Sequence, residues 1–263
     1  MSGNVNDATA ASVLPAGSLE GVRALVTGSS RGIGADTAGY LAAAGARVVI
    51  NYRNKEARAL KVVQGIEDAG GTAMAVGADL TDPDSVAQMF AGIQEEWGGL
   101  DLLVLNASGG MESGMGEDYA LRLNRDAQVN VLEGALPLLT SGSRVVFVTS
   151  HQAHFIESVP TMPEYEPVAR SKRAGEDALR ERLPELEAAG IEFVVVSGDM
   201  IEGTITATLL ERARPGAIDA RRESAGKLYT VSEFAAEVAR AAVDPIPDDH
   251  TRYVGDVSGF RSA

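Results

Sequence analysis

The sequence predicts an α/β fold, a doubly wound parallel sheet within a single domain. Three observations carry that prediction. Short apolar runs alternate with amphipathic stretches from residue 21 onward. The runs are apolar at nearly every position, as strands covered on both faces must be. A glycine-rich turn separates the first run from the first amphipathic stretch. The chain of 263 residues is long enough to bury a substantial core, and no internal repeat or long linker divides it.

The elements follow in order. Residues 1–20 are rich in Ala, Ser, Gly and Asn without periodicity, and read as a disordered arm ahead of a domain spanning 21–263. Strands are predicted over 22–26, 46–51, 72–76, 100–105, 143–150 and 191–197, with a closing strand at 251–255. Helices are predicted over 32–44, 54–69, 82–97, 117–138 and 168–188. Thr81, Asp82, Pro83 and Asp84 give the third helix a capping residue, an early proline and an early acid.

Composition narrows the partners. A net charge of -14 and a pI near 4.7 disfavour nucleic acid and anionic membranes, which need a cationic surface. The absence of cysteine excludes disulfides, thiolate catalysis and cysteine metal sites. The first twenty residues lack a basic start followed by an apolar run, and no stretch is apolar enough to span a bilayer. The expectation is a cytoplasmic protein with a small-molecule partner and no metal, able to form a homo-oligomer.

Residues 26–34 read Val-Thr-Gly-Ser-Ser-Arg-Gly-Ile-Gly, between the first strand and the first helix. Gly28, Gly32 and Gly34 permit a tight turn and close backbone approach to a pyrophosphate. Ser30, Arg31 and Ile33 complete the loop, and the helix N-terminus supplies amides and a positive dipole end. That placement predicts a Rossmann-type dinucleotide site. The second strand ends Ile50-Asn51-Tyr52-Arg53, with no acid to bind a free ribose diol. Arg31 and Arg53 suit a 2′-phosphate, so the cofactor expected is NADPH, with Asn51 beside it.

The spacing Thr-Gly-x-x-x-Gly-x-Gly resembles that of the short-chain dehydrogenase/reductase family, and further matches run along nearly the whole chain after residue 20. The resemblance implies that Asp79 and Leu80 contact adenine. It implies that Asn106, Ala107 and Ser108 form the motif after the fourth strand, with Ser108 in place of a glycine. Asn124 and Ser150 stand where the family has catalytic residues. Lys172 matches the family lysine that binds the nicotinamide ribose, and Ile201 and Thr204 match the segment that clasps nicotinamide.

One family residue is missing. Residues 165–172 read Tyr-Glu-Pro-Val-Ala-Arg-Ser-Lys, so Val168 occupies the place of the proton-donating tyrosine. General acid catalysis is worth roughly 100- to 10,000-fold. The stretch from Ser150 to Lys172 is also longer than usual, so 151–167 should form an enlarged loop. Its prolines at 160, 163 and 167 argue for an extended, stiff segment, so that Tyr165 is not one turn below Lys172 on the same helix. Three proton sources remain open: Tyr165 swinging in, His151 or His154, and the substrate itself or a water held by Ser150. A histidine or tyrosine in a loop is more often a packing residue than an acid. Met111 and Met115 in the glycine-rich stretch after the fourth strand, and a lid over 199–228 with Met200, Ile201, Ile205, Leu209 and Leu210 beneath Arg212 and Arg214, would frame the substrate.

The resemblance implies an NADPH-dependent ketoreductase. More narrowly, the missing tyrosine and longer loop resemble actinobacterial ketoreductases of aromatic polyketides such as angucyclinones. The substrate would be a flat phenolic ketone, reduced to a secondary alcohol, with a neighbouring hydroxyl delivering the proton. The alternatives are a non-catalytic NADP-binding sensor, against which Asn124 and Ser150 weigh, and a dehydratase or epimerase on the same scaffold.

Overall fold

The computed structural model describes residues 13–111, 114 and 118–261. Seven strands form one parallel sheet: β1 (Arg23–Val26), β2 (Arg47–Tyr52), β3 (Thr72–Gly77), β4 (Leu100–Leu105), β5 (Leu139–Ser150), β6 (Glu192–Gly198) and β7 (Thr251–Val254). Their order is β3-β2-β1-β4-β5-β6-β7. The chain therefore reverses its direction of travel between β1 and β4, and the crevice beyond their carboxyl ends is where such sheets bind ligands.

The helices explain the apolar strands. One face of the sheet is covered by α1 (Gly32–Ala43), α2 (Glu56–Asp68) and α11 (Val231–Arg240), packed on Val26, Val48, Ile50, Val104, Val146 and Val196. The other is covered by α3 (Pro83–Trp97), α5 (Ala127–Ala135) and α7 (Glu166–Arg180), packed on Leu25, Leu103, Leu105, Val145, Phe147 and Val195. Asp82 caps α3 as expected, accepting from the Asp84 amide at 3.1 Å with Pro83 in the first turn.

Several expectations shift. Leu14 and Leu19 are buried, and the Leu19 amide donates to the Ala44 carbonyl at 3.0 Å, so residues 13–20 dock on the core instead of extending from it. Residues 1–12 lie outside the described part. The helix predicted over 117–138 begins as α4 (Tyr119–Leu121), turns π-helical over Arg122–Asp126 and continues as α5. Helix 168–188 starts earlier, at Glu166, and breaks into α7 and α8 (Leu183–Ala188). The expected extended loop after β5 opens with a short helix, α6 (His151–His154), because the Ser150 side chain caps it by accepting from the Ala153 amide at 3.3 Å. Within 199–228 the chain forms α9 (Ile205–Ala213) and α10 (Ala217–Ala225). Among the described residues no helix is long and apolar enough to cross a membrane.

Candidate active site

One cavity of about 860 Å³ opens at the carboxyl end of the sheet. The glycine loop forms its first wall. Gly28 and Gly32 adopt φ values of +62° and +58°, which L side chains rarely take. At Gly34 a Cβ would sit 2.5 Å from Asn106 Nδ2 and 2.9 Å from the Gly28 carbonyl, so only glycine lets the loop close on itself. This is a cradle of bare backbone at a helix start, the arrangement a pyrophosphate requires.

The buried Asn51 and the half-buried Asn106 hold the cradle. Asn51 Oδ1 accepts from the Gly28 amide at 3.0 Å, and its own amide donates to Ser29 Oγ at 3.1 Å. Asn106 Nδ2 donates to the Thr27 carbonyl at 2.9 Å, and Thr27 Oγ1 accepts from the Asn106 and Ala107 amides. Asn51 thus braces the loop, which gives it a shaping role at the cofactor site. Asp79 turns one carboxylate oxygen to the Thr81 amide and hydroxyl, ordering the turn that presents Leu80.

The cationic end of the cavity is larger than the sequence suggested. Arg31 and Arg53 line it, and so do Lys55 and Arg58, which sequence reasoning missed. Arg53 Nη1 donates to the Tyr119 hydroxyl at 2.7 Å, which fixes the guanidinium beside the cavity. The signal for Arg58 was its place in the first turn of α2, five residues after Arg53. Four cations, with the neutral Asn51 and no acid at the end of β2, fit a 2′-phosphate.

The other end holds three of the residues expected to take part in the chemistry. Ser150, Tyr165 and Lys172 all line the cavity. Tyr165 is buried at the N-terminal boundary of α7, with its hydroxyl 3.2 Å from Ser150 Oγ. As the N-cap it stands seven residues before Lys172, so it is not one turn below the lysine, yet the helix it caps brings it to the same cavity. The chain turns at Met162, whose carbonyl accepts from the Tyr165 and Glu166 amides, and Pro167 falls in the first helical turn where proline is tolerated. Burial pushes the Tyr165 phenol up, with the bond to Ser150 opposing. Lys172 makes no hydrogen bond among the described residues. Burial lowers it to about 8, with Glu176 one turn away opposing the shift. Val168 packs with Tyr165, Ala169, Met200 and Leu210 in an apolar cluster.

Both histidines lie elsewhere. His151 is fully buried, with Nε2 donating to the Val254 carbonyl at 3.1 Å and Nδ1 accepting from Ser197 Oγ at 2.8 Å. Burial lowers it to about 4, so it is neutral and has no proton to offer the cavity. His154 bridges Glu176 at 2.8 Å and the Tyr253 hydroxyl at 3.1 Å. Neither lines the cavity. Asn124 is also absent from the wall. Its Nδ2 donates to the Gly109 carbonyl at 2.8 Å and to Ser171 Oγ at 2.9 Å, tying the π-helical turn to α7. Through Ser171 it braces α7, the helix that carries Lys172.

The remaining cofactor candidates, Ser30, Ile33, Leu80, Ala107, Ser108, Ile201 and Thr204, all border the cavity. Thr204 caps α9 by accepting from the Ala207 amide at 3.2 Å, which anchors the first turn of that helix beside Ile201. Met162, Met200, Ile205 and Leu210 form an apolar wall, while Arg212 and Arg214 face outward. Met111 packs behind the wall against the Val168 cluster, and Met115 lies outside the described residues.

Comparison with known proteins agrees with this geometry. Residues 23–218 match the family model for short chain dehydrogenases. Over 243 residues the chain is 30% identical to short chain dehydrogenase mdpC of Emericella nidulans, covering 90% of this chain and 88% of that one. Its match to short-chain dehydrogenase/reductase GME11373 of Pestalotiopsis microspora, 36% identical, spans only 54% of that protein's length. A short chain dehydrogenase of Burkholderia cenocepacia, solved in complex with NADP, superposes with a TM-score of 0.72 at 32% identity, covering 85% of this chain and 91% of that one. The angucycline C-6 ketoreductase LanV, solved with bound NADP, gives a TM-score of 0.71 at 28% identity, with coverage of 86% and 90%. The glycine cradle and its cationic end fit the same cofactor, NADP(H), and the chain belongs to the short-chain dehydrogenase/reductase family of oxidoreductases.

Proposed function

We propose that the protein is an NADPH-dependent ketoreductase that converts a ketone of an aromatic, angucyclinone-like polyketide to a secondary alcohol. The observation that carries this reading is one cavity joining the glycine cradle to Ser150, Lys172 and the apolar side chains of Met162, Met200 and Leu210. The similarity to LanV supports the substrate class. The absent tyrosine and longer loop resemble the angucyclinone C-7 ketoreductase of simocyclinone biosynthesis, which narrows the class further.

When bound, NADPH supplies the hydride that the carbonyl carbon accepts. Ser150 Oγ accepts from the Ala153 amide and shares a hydrogen bond with the Tyr165 hydroxyl; when the tyrosine is the donor in that pair, the serine's own proton is left for the carbonyl oxygen. Lys172 has no tyrosine four residues earlier to tune, so its role is to hold the nicotinamide ribose. Arg31 and Arg53 hold the 2′-phosphate, and Met162, Met200 and Leu210 pack the rings and exclude water.

The proton comes from a hydroxyl beside the reacting ketone. It moves to the carbonyl oxygen as the carbon is reduced, and the phenolate left behind regains a proton from water. Val168 carries no proton, and the hydrogen bonds of His151 and His154 turn both rings away from the cavity. A second reading makes Tyr165 the donor, and its contact with Ser150 favours it. The raised pKa favours the first, since an acid works best with a pKa near the working pH. The test is consumption of NADPH with a hydroxylated angucyclinone ketone, with the alcohol identified by mass spectrometry. Binding of both compounds without consumption of NADPH sinks the reading.

A further inference from the structure

Gln152 lies in the first turn of α6, immediately beyond the reacting end of β5, and lines the cavity with Ser150. It is buried, yet its amide is only half used. Nε2 donates to Asp199 Oδ1 at 2.6 Å. Among the described residues nothing bonds to Oε1. That oxygen is also not sealed, unlike the unpartnered Gln128 Oε1 and Thr149 Oγ1. It is therefore an accessible, unpartnered acceptor on a side chain that lines the cavity.

The amide cannot turn over. Asp199, at the end of β6, accepts from the Met200 amide at 2.7 Å and is gripped through both carboxylate oxygens by Arg221 of α10, at 2.7 to 3.0 Å. An ionised carboxylate only accepts hydrogen bonds, so the Gln152 NH₂ must face it and the carbonyl must face away. A chain of three side chains, from Arg221 through Asp199 to Gln152, thus sets one oriented acceptor in a cavity that Met162, Met200 and Leu210 also line. An acceptor fixed in this way selects a donor, because an analogue without one leaves the acceptor unpaired.

We propose that Gln152 Oε1 accepts a hydrogen bond from a ring hydroxyl of the substrate remote from the reacting carbonyl, and that it selects phenolic ketones over their ethers. The inference rests on the reading of the cavity as a ketone site. Asp199 and Arg221 are positioning residues that hold the amide in the accepting orientation.

The experiment is an equilibrium titration of the protein loaded with oxidised NADP, which cannot reduce a ketone. The probes are isomeric hydroxytetralones with the hydroxyl on the aromatic ring away from the ketone, together with their methyl ethers. At least one phenol should bind roughly tenfold tighter than its ether. Gln152→Leu, of similar volume, should erase that ratio by weakening the phenol while changing the ether by no more than about twofold. Asp199→Asn, which frees Gln152 to turn over, should shrink the same ratio. An unchanged ratio in Gln152→Leu overturns the proposal, as does a wild-type protein with no preference for any isomer. Turnover of the same ketones with NADPH is scored separately. A preference that depends on Gln152, with no ketone reduced, keeps the hydroxyl site and sinks the ketoreductase reading instead.

Discussion

The Tyr165 hydroxyl lies 3.2 Å from Ser150 Oγ, and Tyr165 stands seven residues before Lys172 at the head of the same helix. Residues spaced by seven return to one side of a helix, so all three groups meet in one cavity although the family's four-residue spacing is lost. If Tyr165 orients Ser150 and does not donate the proton, Tyr165→Phe loses only a few-fold in kcat, whereas loss of a true acid costs ~100-fold or more. Ser150→Ala should fall by at least that larger factor. Steady-state rates at saturating NADPH separate the two.

The cationic end of the cavity predicts cofactor choice. NADPH should bind more tightly than NADH, and Arg31→Ala or Arg53→Ala should each narrow the gap by roughly tenfold, the worth of a charge-assisted contact. Fluorescence titration of both cofactors checks it, and equal affinities in the wild type would refute it.

Lys172 makes cofactor binding sensitive to pH. Its folded pKa is lowered to about 8, so the cavity loses a positive charge as pH rises through that value. Affinity for the anionic NADPH should decline several-fold across that step, and Lys172→Met should bind more weakly and flatten the profile. Full loss of turnover in Lys172→Met with cofactor affinity and geometry intact would assign the lysine to proton transfer.

His151 predicts acid sensitivity of the fold. Its pKa falls from 6.5 unfolded to about 4 folded, so between those values the unfolded chain binds more protons. Stability is fully present above pH 6.5 and is lost as pH falls toward 4, by about 3 kcal/mol from this group. Urea denaturation at several pH values should show that part of the slope disappear in His151→Gln. An unchanged slope would mean that the ring is not sealed as described.

Gly175 marks the contact that sets α7 against the π-helical turn. A Cβ there would lie 1.9 Å from the Asn124 carbonyl oxygen, so Gly175→Ala should destabilise by ~1–3 kcal/mol or more. Gly39, in the interior of α1, has nothing within 4 Å of its Cβ position, and Gly39→Ala should stabilise by about 0.5–1 kcal/mol. Denaturation midpoints of the two variants should move in opposite directions.

The cofactor half of the site was legible because its signals are local. The glycine loop, the missing acid near Asn51 and the Asn106 motif each sit at the end of a strand, and strands covered on both faces announce themselves as apolar runs. The other half depended on contacts between distant segments. Nothing in the order His-Gln-Ala-His reveals that His151 is sealed by Ser197 and Val254, or that His154 pairs with Glu176. The prolines suggested an extended loop because proline disfavours helix interiors. Pro167 instead occupies the first turn of α7, where its missing amide costs nothing, and that placement brings Tyr165 to Ser150. Leu14 and Leu19 were hidden in a polar arm because two isolated leucines carry no periodicity.

The central claim is that a hydroxyl beside the reacting ketone delivers the proton that Val168 cannot. The most direct measurement compares NADPH consumption with an aromatic ketone bearing that hydroxyl and with its methyl ether, alongside the binding of each to the protein loaded with oxidised NADP. The account predicts that both bind and that turnover of the ether falls by ~100-fold or more. An ether reduced as fast as the phenol would contradict the account and return the proton to a side chain, with Tyr165 first in line.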